Sequence, residues 1–353
     1  MTQIRRGTVV DARATGEGRT DLIVEIGGAR EPAIAYDALT GPVATGDVVV
    51  LNTTAVSLGL GTGGLHFVMA VEGREQPAAP AGHAMKLRYT PVQTSVDAVE
   101  QTDAETLDRV TSLEGMPVIA AGLHSALAPV VIGARATDPA LRIAYVMTDG
   151  AALMMSFSET VPALRAGGLL DTTITAGQAT GGEIEAISLF GAFAAAKAVA
   201  RADVIVVAMG PGNLGSASRW GYASIEVAAI VNAVAAMGGT PVVVPRISFA
   251  DTRERHRGLS HHTATALSLA LARAQVTVPE LSPERRSEIK ASLDDIAVLH
   301  QVIEVDLGPA EAALKDAPVS LRSMGRTYDD DPDFFRAAAA AGVHAAGIAH
   351  ARK

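Results

Sequence analysis

At 353 residues the chain is too long for one ordinary domain and about right for two, and its net charge of −9 argues against duplex nucleic acid as the main partner, because phosphate neutralisation by basic residues supplies most of that affinity. Hydrophobic residues at 48% against charged residues at 19% exclude wholesale disorder, and aromatics at 4% leave the core to Ala, Val, Leu and Ile. The absence of cysteine excludes disulfides, thiolate metal sites and cysteine nucleophiles.

Arg5 and Arg6 are not followed by an apolar run, so no signal peptide is expected and the cytoplasm is the expected compartment. Residues 1–75 read as a small all-β, barrel-like domain. Its Val- and Ile-rich runs at 7–14, 21–26 and 47–51 are separated by glycine turns, and strand character resumes at His66 after the glycine-rich 58–64. Residues 76–114 read as a linker and connecting segment, with the Pro- and Ala-rich 76–82 as the linker itself and 97–111 as an acidic helix.

From 115 to 353 the rhythm is α/β. Strands are expected at 116–121, 142–148, 172–176, 203–209, 241–245, 276–278 and 302–306, with helices between them, including a long Ala-rich one over 183–200 and others at 220–237 and 261–274. Fully apolar strands alternating with helices predict a mostly parallel sheet covered by helices on both faces. The most apolar stretch, 223–245, is broken by Glu226, Asn232 and Gly238-Gly239-Thr240-Pro241, so it reads as helix, turn and strand and not as a membrane span.

In such a sheet ligands bind beyond the carboxyl ends of the strands. The loop Gly210-Pro211-Gly212-Asn213-Leu214-Gly215-Ser216 follows one buried strand, and its glycines would let backbone N–H groups of Gly210, Gly212, Asn213 and Ser216 approach an anion. It has neither the dinucleotide fingerprint nor the Walker spacing. The loop after the next strand is denser: four arginines, three histidines and an aspartate fall within residues 246–262. Arg246, Arg253 and Arg255 suit a phosphate or carboxylate. Asp251 and His256 are candidates for acid–base work. Asp251, His256, His261 and His262 offer a divalent metal site for zinc, manganese, iron or magnesium, with His261, His262 and Asp251 as the core set. Adjacent His261 and His262 could share one ion only at an irregular helix start, for which Ser260 is a plausible N-cap. The competing structural reading is a solvated loop whose arginines pair with Asp251 and Glu254. Asp149, His124 and Glu183 also sit at strand ends; Asp149 and Glu183 could be general bases or helix caps.

The run Gly210-Pro211-Gly212, then 246–251, then Arg255-His256, then Ser260-His261-His262-Thr263, resembles the uncharacterised bacterial family called domain of unknown function 3866. The segments 51–55 and 58–64, Thr148-Asp149-Gly150 and Ser323-Met324-Gly325-Arg326 share the resemblance, which spans nearly the whole chain. The family pattern has Gly-Thr-Gly-Thr after the Gly-Pro-Gly turn, where this chain has Gly215-Ser216-Ala217-Ser218. The resemblance implies no activity.

The residues together lead to an enzyme, a hydrolase or transferase, acting on a small anionic metabolite, phosphorylated or a nucleotide, with a divalent metal as an optional cofactor. The rival reading is a non-catalytic metabolite sensor; a nucleic-acid processing factor ranks below both, because few aromatics are available for base stacking. No membrane partner is expected, and a homo-oligomer is left open.

Overall fold

The computed structural model describes residues 1–16, 18–61, 63–75 and 82–353, and the chain divides into two compact units, 1–97 and 98–353. The stretch read as a linker, 76–82, lies outside the described residues except for Gly82.

The first unit is a closed barrel. Its strands are β1 (Ile4–Ala14), β2 (Arg19–Ile26), β3 (Ala29–Tyr36), β4 (Val48–Asn52) and β5 (His66–Val71), paired in the order β1-β2-β3-β5-β4. Only β3 and β5 run parallel; the other pairs are antiparallel, a Greek-key closure that leaves no sheet edge. Period-two alternation puts Leu22, Val24 and Ile26 inside with Val9, Val49, Leu51 and Val68. The unexpected strand is β3: Arg30-Glu31-Pro32 hides its strand character, yet Pro32 sits opposite Ile23. A short hairpin, β6 (Ala84–Lys86) with β7 (Thr94–Val96), completes this unit, so the division falls within the segment read as connecting.

The second unit is the expected α/β domain. Its sheet strands are β8 (Pro117–Ala121), β9 (Ile143–Thr148), β10 (Thr172–Thr175), β11 (Ile184–Glu185), β12 (Val204–Met209) and β13 (Thr240–Val244). After a two-stranded excursion, β14 (Ile247–Ser248) with β15 (Gly258–Leu259), come β16 (Gln275–Pro279) and β17 (Gln301–Val305). A last hairpin pairs β18 (Arg322–Ser323) with β19 (Arg326–Thr327). The main sheet has eight strands in the order β11-β10-β9-β12-β8-β13-β16-β17, all parallel. β8, β9 and β12 are buried at every position, which is why they read as unbroken apolar runs.

Two cores cover the two faces. Helices Leu189–Ala198, Val227–Ala236 and His261–Leu269 contribute to one; helices Leu127–Thr137 and Pro332–Ala351 dominate the other. Those last two helices touch backbone to backbone. A Cβ on Gly342 would run into the carbonyl oxygen of Val130, and one on Gly133 into that of Ala339. Among the described residues no helix is long and apolar enough to cross a membrane.

Local chemistry explains the departures from the expected elements. The single helix over 183–200 is instead β11 followed by a shorter helix, because Glu185 is held in the sheet by Thr175 and Thr180 and Ser188 caps the helix start at Gly191 N. The acidic helix over 97–111 is two short turns, Val99–Thr102 and Ala104–Asp108. The helix from His261 stops at Leu269, where Asn232 Oδ1 accepts from Leu271 N and Ala272 N and draws the chain outward.

The strand order places the site. β8 sends its chain through helix Leu127–Thr137 to β9, on one face. β12, its neighbour, sends its chain through helix Val227–Ala236 to β13, across β8 and over the other face. Chains diverging from adjacent strands leave a crevice at their carboxyl ends.

Candidate metal and anion site

The loop after β13 carries the densest chemistry, and its own pairing folds it back on itself. Ile247 faces Leu259 and Ser248 faces Gly258, so the excursion between them closes at its base. Arg246 N donates to Thr263 Oγ1 at 2.9 Å and Ser260 N donates to the Arg246 carbonyl at 2.9 Å, which fixes the start of helix His261–Leu269 against β13. Ser260 caps that helix, its Oγ accepting from His262 N.

This irregular start brings three imidazoles together. One ligand atom from each of His256, His261 and His262 lies within 4.8 Å of the others. Three imidazole nitrogens around one tetrahedral ion stand about 3.3 Å apart, given metal–nitrogen bonds of about 2.0–2.1 Å, so modest ring rotations would close the set. Each ring has a support. His256 Nδ1 lies 2.8 Å from Ser260 Oγ. The His262 ring stacks on Tyr222 with centroids 3.8 Å apart and planes 2° from parallel, and Tyr222 Oη donates to the His262 carbonyl at 3.0 Å. His261 meets Tyr222 edge-on. Two nitrogens are left over: His261 Nε2 and His262 Nδ1 are buried without a hydrogen-bond partner among the described residues. Buried polar atoms are nearly always satisfied, so two orphans in one cluster need a reason.

The surroundings are electropositive. Burial first, and then Arg246 and Arg253, push the His256 imidazole down to about 3; burial, His261 and Arg246 push His262 down to about 4. The N-terminus of helix His261–Leu269 adds its partial positive charge. Arg255 is exposed and has no hydrogen bond or ion pair among the described residues.

Asp251 stands apart from the imidazoles. Its side chain is 1% exposed and is enclosed by arginine: Arg246 at 2.9 Å, Arg253 at 2.7 Å and Arg326 at 3.5 Å. Hydrogen bonding from Arg253 leads the effects that hold its carboxyl well below the usual range. The network continues through Arg326 to Asp331, which accepts from Ser248 Oγ at 2.7 Å. Of the four residues expected around a metal, His256, His261 and His262 lie together and Asp251 does not join them. Of the arginines expected on an anion, Arg246 and Arg253 donate to Asp251, and Arg246 also lines a hollow with Gly122, Leu123, Ser224, His262 and Thr263.

The other candidates lie on neighbouring strand ends. In the glycine loop after β12, Gly210 packs against the Ala152 carbonyl, Gly212 takes φ +104°, and Asn213 Oδ1 is buried without a hydrogen-bond partner among the described residues. Ser216 is exposed; its N–H donates to the Gly221 carbonyl and its Oγ accepts from Ser218 N. The helix begins only at Ala223, later than expected, so Ser216 is not at its N-terminus. Asp149 caps Gln178 N at 3.0 Å and lies near Glu226, whose carboxyl burial raises to about 7. Glu183 is paired with Arg165 and accepts from Thr173 N, a structural tie. His124 is buried with both ring nitrogens in hydrogen-bond range of protein groups. Arg326 and Asp331 are the residues that spacing could not have found, because they reach the site from a distant segment.

The molecule is thus a two-unit protein: a five-stranded barrel and a parallel α/β domain with a histidine–arginine constellation at its strand ends. It belongs to the family described as protein of unknown function (DUF3866), whose model matches residues 32–342. No curated protein and no solved structure matches the chain.

Proposed function

We propose that His256, His261 and His262 hold one divalent cation and that the protein is a metal-dependent enzyme acting on a small anionic metabolite by hydrolysis or group transfer. The observation that carries this reading is the convergence of three imidazoles with two buried, unpartnered nitrogens among them. Ser260 supports it by holding His256 through the other ring nitrogen, the arrangement that orients metal-ligating imidazoles. Three neutral ligands leave the cation's charge uncompensated, and Arg246 and a helix N-terminus add to it. Such a site favours an anion, either the substrate's own or one that develops on the reacting atom. A bound cation would polarise that group or lower the pKa of a bound water to about 7.

The test is elemental analysis of purified protein and of protein reloaded with zinc or manganese, on wild type, His256→Ala and the His261→Ala, His262→Ala double variant. One equivalent of metal in wild type, lost in both variants at unchanged thermal stability of the metal-free protein, is the expected result. Wild type that takes up no metal on reloading, or variants that keep it, would overturn the reading.

A further inference from the structure

The hollow beside His262 and Arg246 has a volume of ≈ 30 Å³. That is room for an ion or a few reacting atoms. A substrate with more atoms than that extends beyond the hollow. Leu123, which borders this hollow, also borders a second cleft of ≈ 330 Å³. Small-molecule sites run from about 300 Å³ upward, so this cleft is of metabolite size. A third concavity, of ≈ 280 Å³ under helix His261–Leu269, shares no lining residue with the hollow.

The second cleft is built from separate loops and mixes an apolar wall, Leu123, Phe157, Pro211 and Met324, with polar groups. Ser125, Thr160, Asn213, Arg322 and Ser323 line it. Asn213 Oδ1 is buried without a partner among the described residues and calls for a donor. Ser125 and Ser323 pair their hydroxyls at 3.0 Å across the cleft wall. Arg322 is exposed, with no hydrogen bond or ion pair among the described residues. Glu159 also borders the cleft; a carboxylate accepts from hydroxyls and repels phosphate, so it suits the hydroxylated part of a ligand.

The wall carrying Arg322 is a tight hairpin. Its turn residues Met324 and Gly325 take φ +52° and +81°, a left-handed conformation that a methionine adopts at a cost. Arg326 on the return strand anchors it to Asp331 and Asp251, and Asp251 in turn holds Arg246. One hairpin therefore forms part of the cleft and braces the arginine of the small hollow.

We propose that this cleft binds the body of the substrate and that the substrate is a phosphorylated polyol, with Arg322 on the phosphate and Asn213, Ser125 and Ser323 on hydroxyls. The phosphate is then a handle, and the chemistry falls on the other end of the molecule, the end that reaches past Leu123. This rests on the anionic-metabolite reading above and fixes its chemical class. A sugar phosphate and a nucleoside monophosphate share that chemistry.

Calorimetric titration tests it with ribose 5-phosphate, glucose 6-phosphate and adenosine 5′-monophosphate, against ribose and inorganic phosphate. The proteins are wild type, Arg322→Ala, Arg322→Lys, Asn213→Ala and His256→Ala. The expected result is that at least one phosphorylated ligand binds wild type and that Arg322→Ala weakens it about tenfold or more, the loss of a charge-assisted contact. Arg322→Lys should recover part of the loss, and the metal content of all the cleft variants should match wild type. Which ligand binds distinguishes the two sources. No binding by any of the three, or equal binding by Arg322→Ala, overturns the proposal. His256→Ala separates the two readings: a phosphorylated ligand that binds wild type and His256→Ala alike, in protein that holds no metal, sustains the cleft while the metal reading fails.

Discussion

A single histidine and a cluster of three stand on neighbouring strand ends and differ in one respect. His124, after β8, is surrounded by protein groups: Nε2 lies 2.7 Å from Ser158 Oγ, and Nδ1 lies 3.1 Å from Tyr145 Oη and 3.3 Å from the Met209 carbonyl. Ser158 Oγ also accepts from Val161 N and Tyr145 Oη donates to the Ala208 carbonyl, so the network closes across the ends of β8, β9 and β12. The histidines after β13 are equally at home on a strand end, yet His261 Nε2 and His262 Nδ1 have no hydrogen-bond partner among the described residues. A polar residue at the carboxyl end of a parallel strand is therefore not in itself a site. What separates a brace from a binding centre is whether the burial of its polar atoms has been offset by partners.

Asp251 offers the hardest test of that distinction, because it looks like a catalytic carboxylate and is placed like a brace. Asp251→Asn should cost about 3–5 kcal/mol in urea unfolding of the metal-free protein, since three arginines lose their buried counter-charge. The sign with pH follows from the depressed carboxyl: its stabilisation is complete above the ordinary aspartate range and is lost as pH falls below it, so the gap between wild type and variant should close in acid. A loss under about 1 kcal/mol at neutral pH would return Asp251 to the catalytic group. His124→Leu should act more weakly, by about 2 kcal/mol, by taking the imidazole from the buried Ser158 hydroxyl, with metal content unchanged. Loss of metal in that variant at wild-type stability would erase the contrast between the two groups.

The α/β architecture was legible because buried parallel strands announce themselves: β8, β9 and β12 are uninterrupted apolar runs, and the periodicity of the intervening helices needs no partner to be seen. β3 and β11 were not legible. One carries Arg30-Glu31-Pro32; the other is two residues long and exists because Glu185 is tied to Thr175 and Thr180. At the site, the sequence concentrated the right residue types between Arg246 and His262 and placed the Ser260 cap. It could not sort them. Which carboxylate meets which arginine depends on Arg326 and Asp331, which arrive from a hairpin far along the chain. His256 reads equally as an acid–base residue and as a ligand, and it meets the other imidazoles because β14 and β15 fold the loop back over Ser260.

Glu226 sharpens the comparison at its smallest scale, since it is neither fully satisfied nor free. Thr148 Oγ1 donates to it at 2.8 Å, and its carboxyl stands beside Gly150 and near Asp149. Burial is the main cause of its elevated pKa of about 7; Thr148 opposes the shift and Asp149 adds to it. A carboxyl raised in this way contributes stability that is present while both states are protonated, below the ordinary glutamate range. That contribution fades as the unfolded chain ionises first and is lost as pH rises through about 7. Glu226→Gln keeps the hydrogen bond from Thr148 and removes the charge. Its melting temperature should match wild type near pH 4 and exceed it by a widening margin from about pH 5 to pH 8, measured by scanning calorimetry on metal-free protein. A margin that stays flat across that range would mean that Glu226 titrates normally and that the ends of β9 and β12 are as well solvated as an ordinary surface loop.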